Sequence, residues 1–599
     1  MSARMETDIV IVGGGPAGLS AALFLSEYGV ENVLVEQYPW TSPTPRAHIT
    51  NQRTVEIMRD MGLEEAVVEK ATPQELMGDQ VFCVSLAGEE LARLLTWGNH
   101  PKRKADYDLA SPSKICDLPQ NLFEPILLDG ATSRGTRVLL SNEYLSLEQD
   151  EDGVTATVRD RVGDESYQIR AKYLIGADGG RSKVAEDIGL PMEGQMDIAG
   201  SMNIVFEADL SRYVAHRPSV LYWVLQPGSE IGGIGMGLVR MVRPWNKWLI
   251  LWGYDIDEPP PEVDEEEATR IAHGLIGDDT VPVEITDISL WGNNRMYATR
   301  YSSGRVFCAG DACHRHPPSN GLGSNTSIQD SYNLAWKLAL VLRGKADPSL
   351  LATYDDERAP IGEQIVERAN KSIEEFEPIF DALGLLEAED EEQMYANMEA
   401  RKENTPQARE QREKLREAIE LKNYEFNAHG VEFNQRYRSA AVISGGTTEP
   451  TYDRDPELYH HPTTWPGARL PHCWLGHKGR KVSTLDLAGK GRFTLLTGIE
   501  GETWKEAAEE VSARTGLEIA AFVIGPGREV IDLYDDWART SEVEETGCVL
   551  VRPDAHVAWR SQTAAGNCSA ELDRVMSSIL GFGQPPRKET TQVEETVEA

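Results

Sequence analysis

The chain opens on a short unbroken apolar run, Asp8 to Val12. A glycine-rich turn, Gly13 to Gly18, follows, and then a longer mostly apolar stretch, Leu19 to Tyr28. An apolar run that short between turn signals reads as a buried strand, and the longer stretch reads as a helix. A second apolar run, Asn32 to Glu36, completes a strand–helix–strand opening, and the alternation continues to about Asp187. From residue 201 to about residue 295 the texture changes. Apolar and aromatic residues, among them Tyr222, Trp223, Trp248, Trp252 and Tyr254, recur in strand-like runs that predict an antiparallel sheet. The earlier pattern returns at Val306, and a long helix is expected from about Thr326 to Arg343.

Beyond that helix the chain divides. Residues 371–427 are crowded with Glu, Lys and Arg and predict a solvated helical excursion from the first unit, which spans residues 1–443. The turn-rich stretch 444–471 reads as a linker, 472–585 as a separate small α/β domain, and 586–599 as a disordered acidic tail. At 599 residues several domains are expected rather than one core.

Composition narrows the partners. There are 59 basic against 97 acidic residues, a net charge of −38. Phosphate backbones and anionic lipid surfaces repel such a polyanion, which argues against nucleic acid and membrane as partners. The seven cysteines form no CxxC pair and no metal-ligand spacing, the pattern of a reduced cytoplasmic protein without a metal centre.

Three motifs carry chemistry. In Gly13-Gly14-Gly15-Pro16-Ala17-Gly18, Gly13, Gly15 and Gly18 allow a tight turn and close approach of backbone to a pyrophosphate at a helix N-terminus. Glu36 ends the next strand, where a carboxylate accepts hydrogen bonds from an adenosine ribose. Gly176-Ala177-Asp178-Gly179-Gly180 and Gly310-Asp311-Ala312-Cys313-His314 each follow a predicted strand. The second runs on through Pro317 to Gly323-Ser324-Asn325. An Asp at the carboxyl end of a parallel strand reaches the ligand crevice, and glycine-rich amides opening a helix suit an anionic ring.

Together these motifs resemble the single-component aromatic hydroxylases of the para-hydroxybenzoate hydroxylase fold. Pro45 to Thr54, Asn423 to Tyr437 and Cys548 to Arg560 are similar to stretches of phenol and 2,4-dichlorophenol 6-monooxygenases. The resemblance implies an α/β FAD-binding Rossmann-like domain interleaved with an antiparallel-sheet substrate domain, plus a C-terminal thioredoxin-like α/β domain. It assigns Arg46 to the FAD pyrophosphate, Gln120 and Asp311 to the ribityl chain, and Asp178-Gly179 to FAD and nicotinamide. Pro317 is assigned to the flavin face, and the amides of Gly323, Ser324 and Asn325 to the flavin ring. It further implies a homodimer or larger homo-oligomer.

The implied reaction is ortho-hydroxylation of a phenol to a catechol with NADPH or NADH and O2, through a flavin C4a-hydroperoxide. A phenol ionises near pH 10, like Tyr, so a base beside its hydroxyl is expected. His48 is the candidate, lying on the segment where related phenol hydroxylases carry an ionisable residue. Tyr222, Trp223 and Tyr254 are candidates to wall an apolar pocket for an uncharged phenol. Two other readings stand beside it: a hydroxylase of larger aromatic polyketides, which would share every flavin motif, and a non-catalytic flavin-binding redox sensor, which would need a broken substrate cavity or a lost flavin-loop motif.

Overall fold

The computed structural model describes residues 4–227 and 236–582, so the tail expected over 586–599 lies outside the described residues. Five strands lie parallel in the order Val306–Cys308, Glu165–Gly176, Arg4–Val12, Asn32–Glu36, Arg137–Leu140. A parallel sheet is covered on both faces, so its central strand segments are apolar on both sides; Ile9, Val10 and Ile11 are wholly buried. The Pro16–Glu27 helix packs against Gln120–Ser133 and Gly323–Leu342. All three sequence motifs therefore stand at the carboxyl ends of neighbouring strands, where open α/β sheets bind ligands.

The second sheet has eight strands and is larger than the expected span of 201–295. It starts with Met192–Glu207 and recruits the hairpin Asp79–Cys83 and Glu90–Leu95 from the region expected to be α/β. Asp79–Cys83 pairs parallel with Ser219–Leu225, while the other neighbours are antiparallel. Its run Val81-Phe82-Cys83 has no period-two alternation, which hides its membership from a sequence reading.

The charged stretch 371–427 is not a solvated excursion. Its helices bury Phe376, Ile379, Phe380, Leu383, Met398, Leu415 and Ile419 in the core beneath the second sheet. The surface charges had masked an apolar stripe at helical spacing. The expected linker is also half structural, since residues 463–471 are buried and Arg469 Nε donates to Glu56 at 2.9 Å.

The C-terminal domain holds a four-stranded sheet in the order Ile519–Val523, Phe493–Thr497, Cys548–Val551, Val557–Ser561. The first pair is parallel and the rest antiparallel. Helices Glu502–Thr515 and Cys568–Ile579 pack together on it. Its core is continuous with that of the first sheet, where Phe493 meets Trp336 edge-on at 5.9 Å. Among the described residues no helix is long and apolar enough to cross a membrane.

Candidate active site

The first turn needs its glycines. Gly13 has φ +104°, and a Cβ there would lie 2.2 Å from the Ala177 carbonyl oxygen. A Cβ on Gly18 would lie 1.9 Å from the Gly13 carbonyl oxygen, so the helix sits directly against the turn. Gly15, which caps that helix, has open space where a side chain would stand. Such a terminus presents unpaired N–H groups to a phosphate. Glu36 is fixed at the strand end, accepting the backbone N–H of Gly14 at 2.5 Å and of Tyr38 at 2.9 Å.

Arg46 is exposed and makes no ion pair among the described residues. Gln120 joins it through a backbone bond to the Ala47 carbonyl at 2.7 Å, and its side chain donates to Glu124 at 2.5 Å. Burial raises the pKa of Glu124, which also accepts the Ser42 N–H at 2.6 Å.

On the next strand end, Asp178 shapes its own turn. It accepts the Ser182 hydroxyl at 2.5 Å and the Val184 N–H at 3.1 Å, and burial raises its pKa. Gly179 follows at φ +85° with open space beside it. Asp311 lies in a one-turn 3₁₀ segment, Gly310–Ala312, with its carboxylate exposed and taking no hydrogen bond from a described residue. His314 braces this turn from below, donating to Asp330 at 2.8 Å while Asp330 accepts the Gly310 N–H at 3.0 Å. Pro317 is buried beside it, and Gly323 opens the 20-residue helix that carries Ser324 and Asn325. The Asn325 side chain does more than expected. It donates to the carbonyls of Ile49 at 2.7 Å and Gly321 at 2.6 Å and accepts the Asn51 N–H at 3.0 Å, clamping the His48 segment to this helix.

The His48 segment is therefore fixed against the helix that opens at Gly323. Its Nδ1 lies 2.5 Å from Oδ2 of Asp117, a carboxylate with no exposure. From the second sheet Arg240 reaches the same place. Its Nη1 donates to the carbonyls of Pro45 at 2.6 Å and Arg46 at 2.7 Å, whereas Nε and Nη2 are buried without partners. Oδ1 of Asp117 is likewise buried and unpaired.

Residues 6–369 match the FAD binding domain family, and residues 463–585 match the aromatic-ring hydroxylase C-terminal family. The 2,4-dichlorophenol 6-monooxygenase of Delftia acidovorans is 57% identical over 96% of this chain and 98% of its own. The phenol 2-monooxygenase of Pseudomonas sp. (strain EST1001) is 53% identical over 97% of this chain and 94% of its own. The crystal structure of the flavin-dependent monooxygenase PieE in complex with FAD and substrate superposes with a TM-score of 0.92 at 47% identity. That match covers 96% of this chain and 99% of that one. The chain belongs to the FAD-dependent aromatic-ring monooxygenases. The residues fit FAD on their own geometry: a side-chain-free cradle at Gly13 and Gly15, and an Arg46 and an Asp311 carboxylate that no described residue pairs.

In this monooxygenase the three aromatic candidates do not share a pocket. Leu221 and Leu249 stand opposite Arg240, and Trp223 opposite Leu238, so these residues share the sheet face that meets the His48 segment. Tyr222 stands opposite Val239 on the other face. There its hydroxyl donates to the Arg217 carbonyl at 3.0 Å and its ring packs on Trp248. Tyr254 falls on that face too, lying across Gly200. Period-two alternation separates neighbours in a strand, so Trp223 alone of the three faces the site. Phe376, from the charged stretch, meets its ring at 4.5 Å.

Sequence reasoning missed Asp117, Arg240, Asp330 and Phe376. A signal existed for Arg240, the one charge within Leu238-Val239-Arg240-Met241-Val242. Its burial pulls the guanidinium down to about 10. Burial first, and then the Arg240 charge, hold the His48 pKa below its ordinary value against the opposing pull of Asp117.

Proposed function

We propose that the enzyme takes its phenol against the Trp223–Arg240 face, with the hydroxyl between His48 and Arg240, and that His48 removes the phenolic proton. The enzyme is an FAD-dependent phenol monooxygenase that hydroxylates ortho to the existing hydroxyl, with NAD(P)H as electron donor and O2 as oxygen source. FAD, when bound, supplies the activated oxygen. Gly13, Gly15, Gly18, Glu36, Arg46, Gln120, Asp178, Asp311, Pro317 and the Gly323–Asn325 helix start would hold it.

The observation that carries the assignment is the set of buried, unpaired atoms beside His48: Nε and Nη2 of Arg240 and Oδ1 of Asp117. Buried polar groups without partners are costly, and a phenol oxygen satisfies the guanidinium donors. With Nδ1–H donated to Asp117, the His48 Nε2 carries a lone pair and can accept a proton. Its lowered pKa keeps it neutral and ready at neutral pH. After transfer, imidazolium faces carboxylate and phenolate faces guanidinium, so no charge is left alone in a dry site. Deprotonation pushes electron density onto the ortho carbon, the atom that must attack an electrophilic oxygen. His48→Ala should retain FAD and flavin reduction but lose coupled product formation by about 100-fold or more. Dichlorophenols, which ionise unaided, should lose less than phenol. Equal losses across phenols of different acidity would remove His48 from the base role.

A small phenol, rather than a polyketide, is supported by the two small-phenol relatives, which are more than half identical over nearly the whole chain. For the C-terminal domain, a parallel pair continued by two antiparallel strands, with both helices packed together, supports a thioredoxin-like reading. Its three cysteines are buried and free, which supports a structural rather than a redox role and a cytoplasmic setting. A homodimer or larger homo-oligomer is part of the same reading, and light scattering of the purified holoenzyme tests it.

A further inference from the structure

The tip of a hairpin ordinarily lies at the surface. In the C-terminal domain the turn joining Cys548–Val551 to Val557–Ser561 does the reverse. Arg552, Asp554, Ala555 and His556 are all buried, Arg552 completely. The tip enters the first unit and meets the Thr353–Glu374 helix. There Arg552 donates from Nη1 and Nη2 to Glu357 at 2.5 and 2.8 Å, and from Nε to Asp554 at 3.0 Å. Glu357 also accepts Lys337 at 2.8 Å, Asn333 at 2.7 Å and the Ser439 hydroxyl at 2.6 Å.

The next residue on that helix points to the flavin turn. Arg358 Nε donates to Asp330 at 2.8 Å, and this is the carboxylate that accepts the Gly310 N–H and His314. Asp330 and Arg358 have no exposure. On its far side Arg358 Nη1 is shared between Gln435 at 3.2 Å and the Tyr437 hydroxyl at 3.1 Å. The Tyr437 ring stacks on His556 at 4.2 Å and lies 5.2 Å from the Arg552 guanidinium. Two routes thus join the hairpin tip to one arginine, along the helix from Glu357 and through the Tyr437 ring. In a dry interior each ion is held by the next, because an unpaired buried charge is far more costly than a slightly displaced one.

We propose that the buried tip Arg552–His556 is a positioning element of the flavin site. It fixes Glu357 and Tyr437, through them Arg358, and so the Asp330 carboxylate that anchors the Gly310–Asp311 turn. This role needs no redox cysteine pair and explains why a charged turn is buried between domains. It rests on the assignment of that turn to FAD.

The test measures FAD dissociation constants by flavin fluorescence, and apoprotein melting, on the full-length chain. Arg552→Gln should weaken FAD binding about 10-fold, the effect of losing a charge-assisted bond. Tyr437→Phe keeps the ring but loses its bond to Arg358, and should weaken it about 3-fold, less than Arg552→Gln because Gln435 still accepts from the same Nη1. Asp486→Asn cuts a different contact between the same two units, the 2.6 Å pair with Arg59. It should leave FAD affinity within about 2-fold even if it lowers the melting point, because sites sharing no partner do not couple. Asp311→Ala checks the underlying assignment: if it leaves FAD affinity unchanged, the reading of the turn fails. If Asp311→Ala weakens FAD and folded Arg552→Gln and Tyr437→Phe do not, the proposal fails. Equal weakening by Asp486→Asn would also overturn it, since general loosening would then explain the effect. Should Arg552→Gln not fold, Tyr437→Phe decides.

Discussion

The proposed flavin cradle and the proposed substrate face are built in opposite ways. The cradle is made of backbone: three strand ends, each followed at once by a turn that holds a glycine at positive φ, Gly13, Gly179 and Gly310. The proposed substrate face draws on side chains from three distant places, His48, Asp117 and Arg240, which meet only in the folded protein. A site that recognises its ligand with backbone amides leaves a contiguous mark in the sequence. A site that recognises charge with paired side chains leaves single residues scattered among apolar ones.

The comparison can be broken by exchanging the two kinds of damage. Arg240→Met should reduce coupled product formation from phenol by about 10²–10³-fold, the usual cost of removing a donor aimed at developing negative charge. FAD affinity should stay as it was, and titration of the apoprotein with FAD checks this. If FAD binding falls as far as turnover, the guanidinium acts only through its bonds to the Pro45 and Arg46 carbonyls and not on substrate. Asp311→Ala should do the converse. FAD should bind about 10–100-fold more weakly, the worth of a charge-assisted bond, while turnover at saturating FAD remains near the parent value. The smallest effect belongs to neither region. Replacing Cys473, Cys548 and Cys568 with Ala should leave turnover within about 2-fold, because these buried free thiols are inert as nucleophiles. Loss of turnover in a folded triple variant would reveal redox chemistry in the C-terminal domain.

The same contrast explains what was legible beforehand. The strand–turn–helix opening, the Asp178 and Asp311 turns and the start of the long helix could be read because each is local. The reach of the second sheet could not, because Asp79–Cys83 joins it by a pairing more than a hundred residues away in sequence. The helices after residue 371 were hidden by their own charged faces. Period-two alternation alone could have separated Tyr222 from Trp223, since adjacent residues in a strand face opposite ways. Asp117 carried a fainter mark, an isolated acid in Ile115-Cys116-Asp117-Leu118. Its partner becomes visible only when the Ile49–Thr50 and Cys116–Asp117 strands pair.

The central claim is that the site binds its substrate as an anion held by Arg240 and generated by His48. Fluorine NMR of a fluorophenol bound to the oxidised holoenzyme, followed across pH without reductant, tests it most directly. An opposite charge at contact distance favours the ionised form by one to three pH units, so the bound phenol should ionise about two pH units below the free compound. In Arg240→Met it should return to the free value or above. A bound phenol that titrates like the free one in the parent enzyme, or identically in both proteins, would contradict the account.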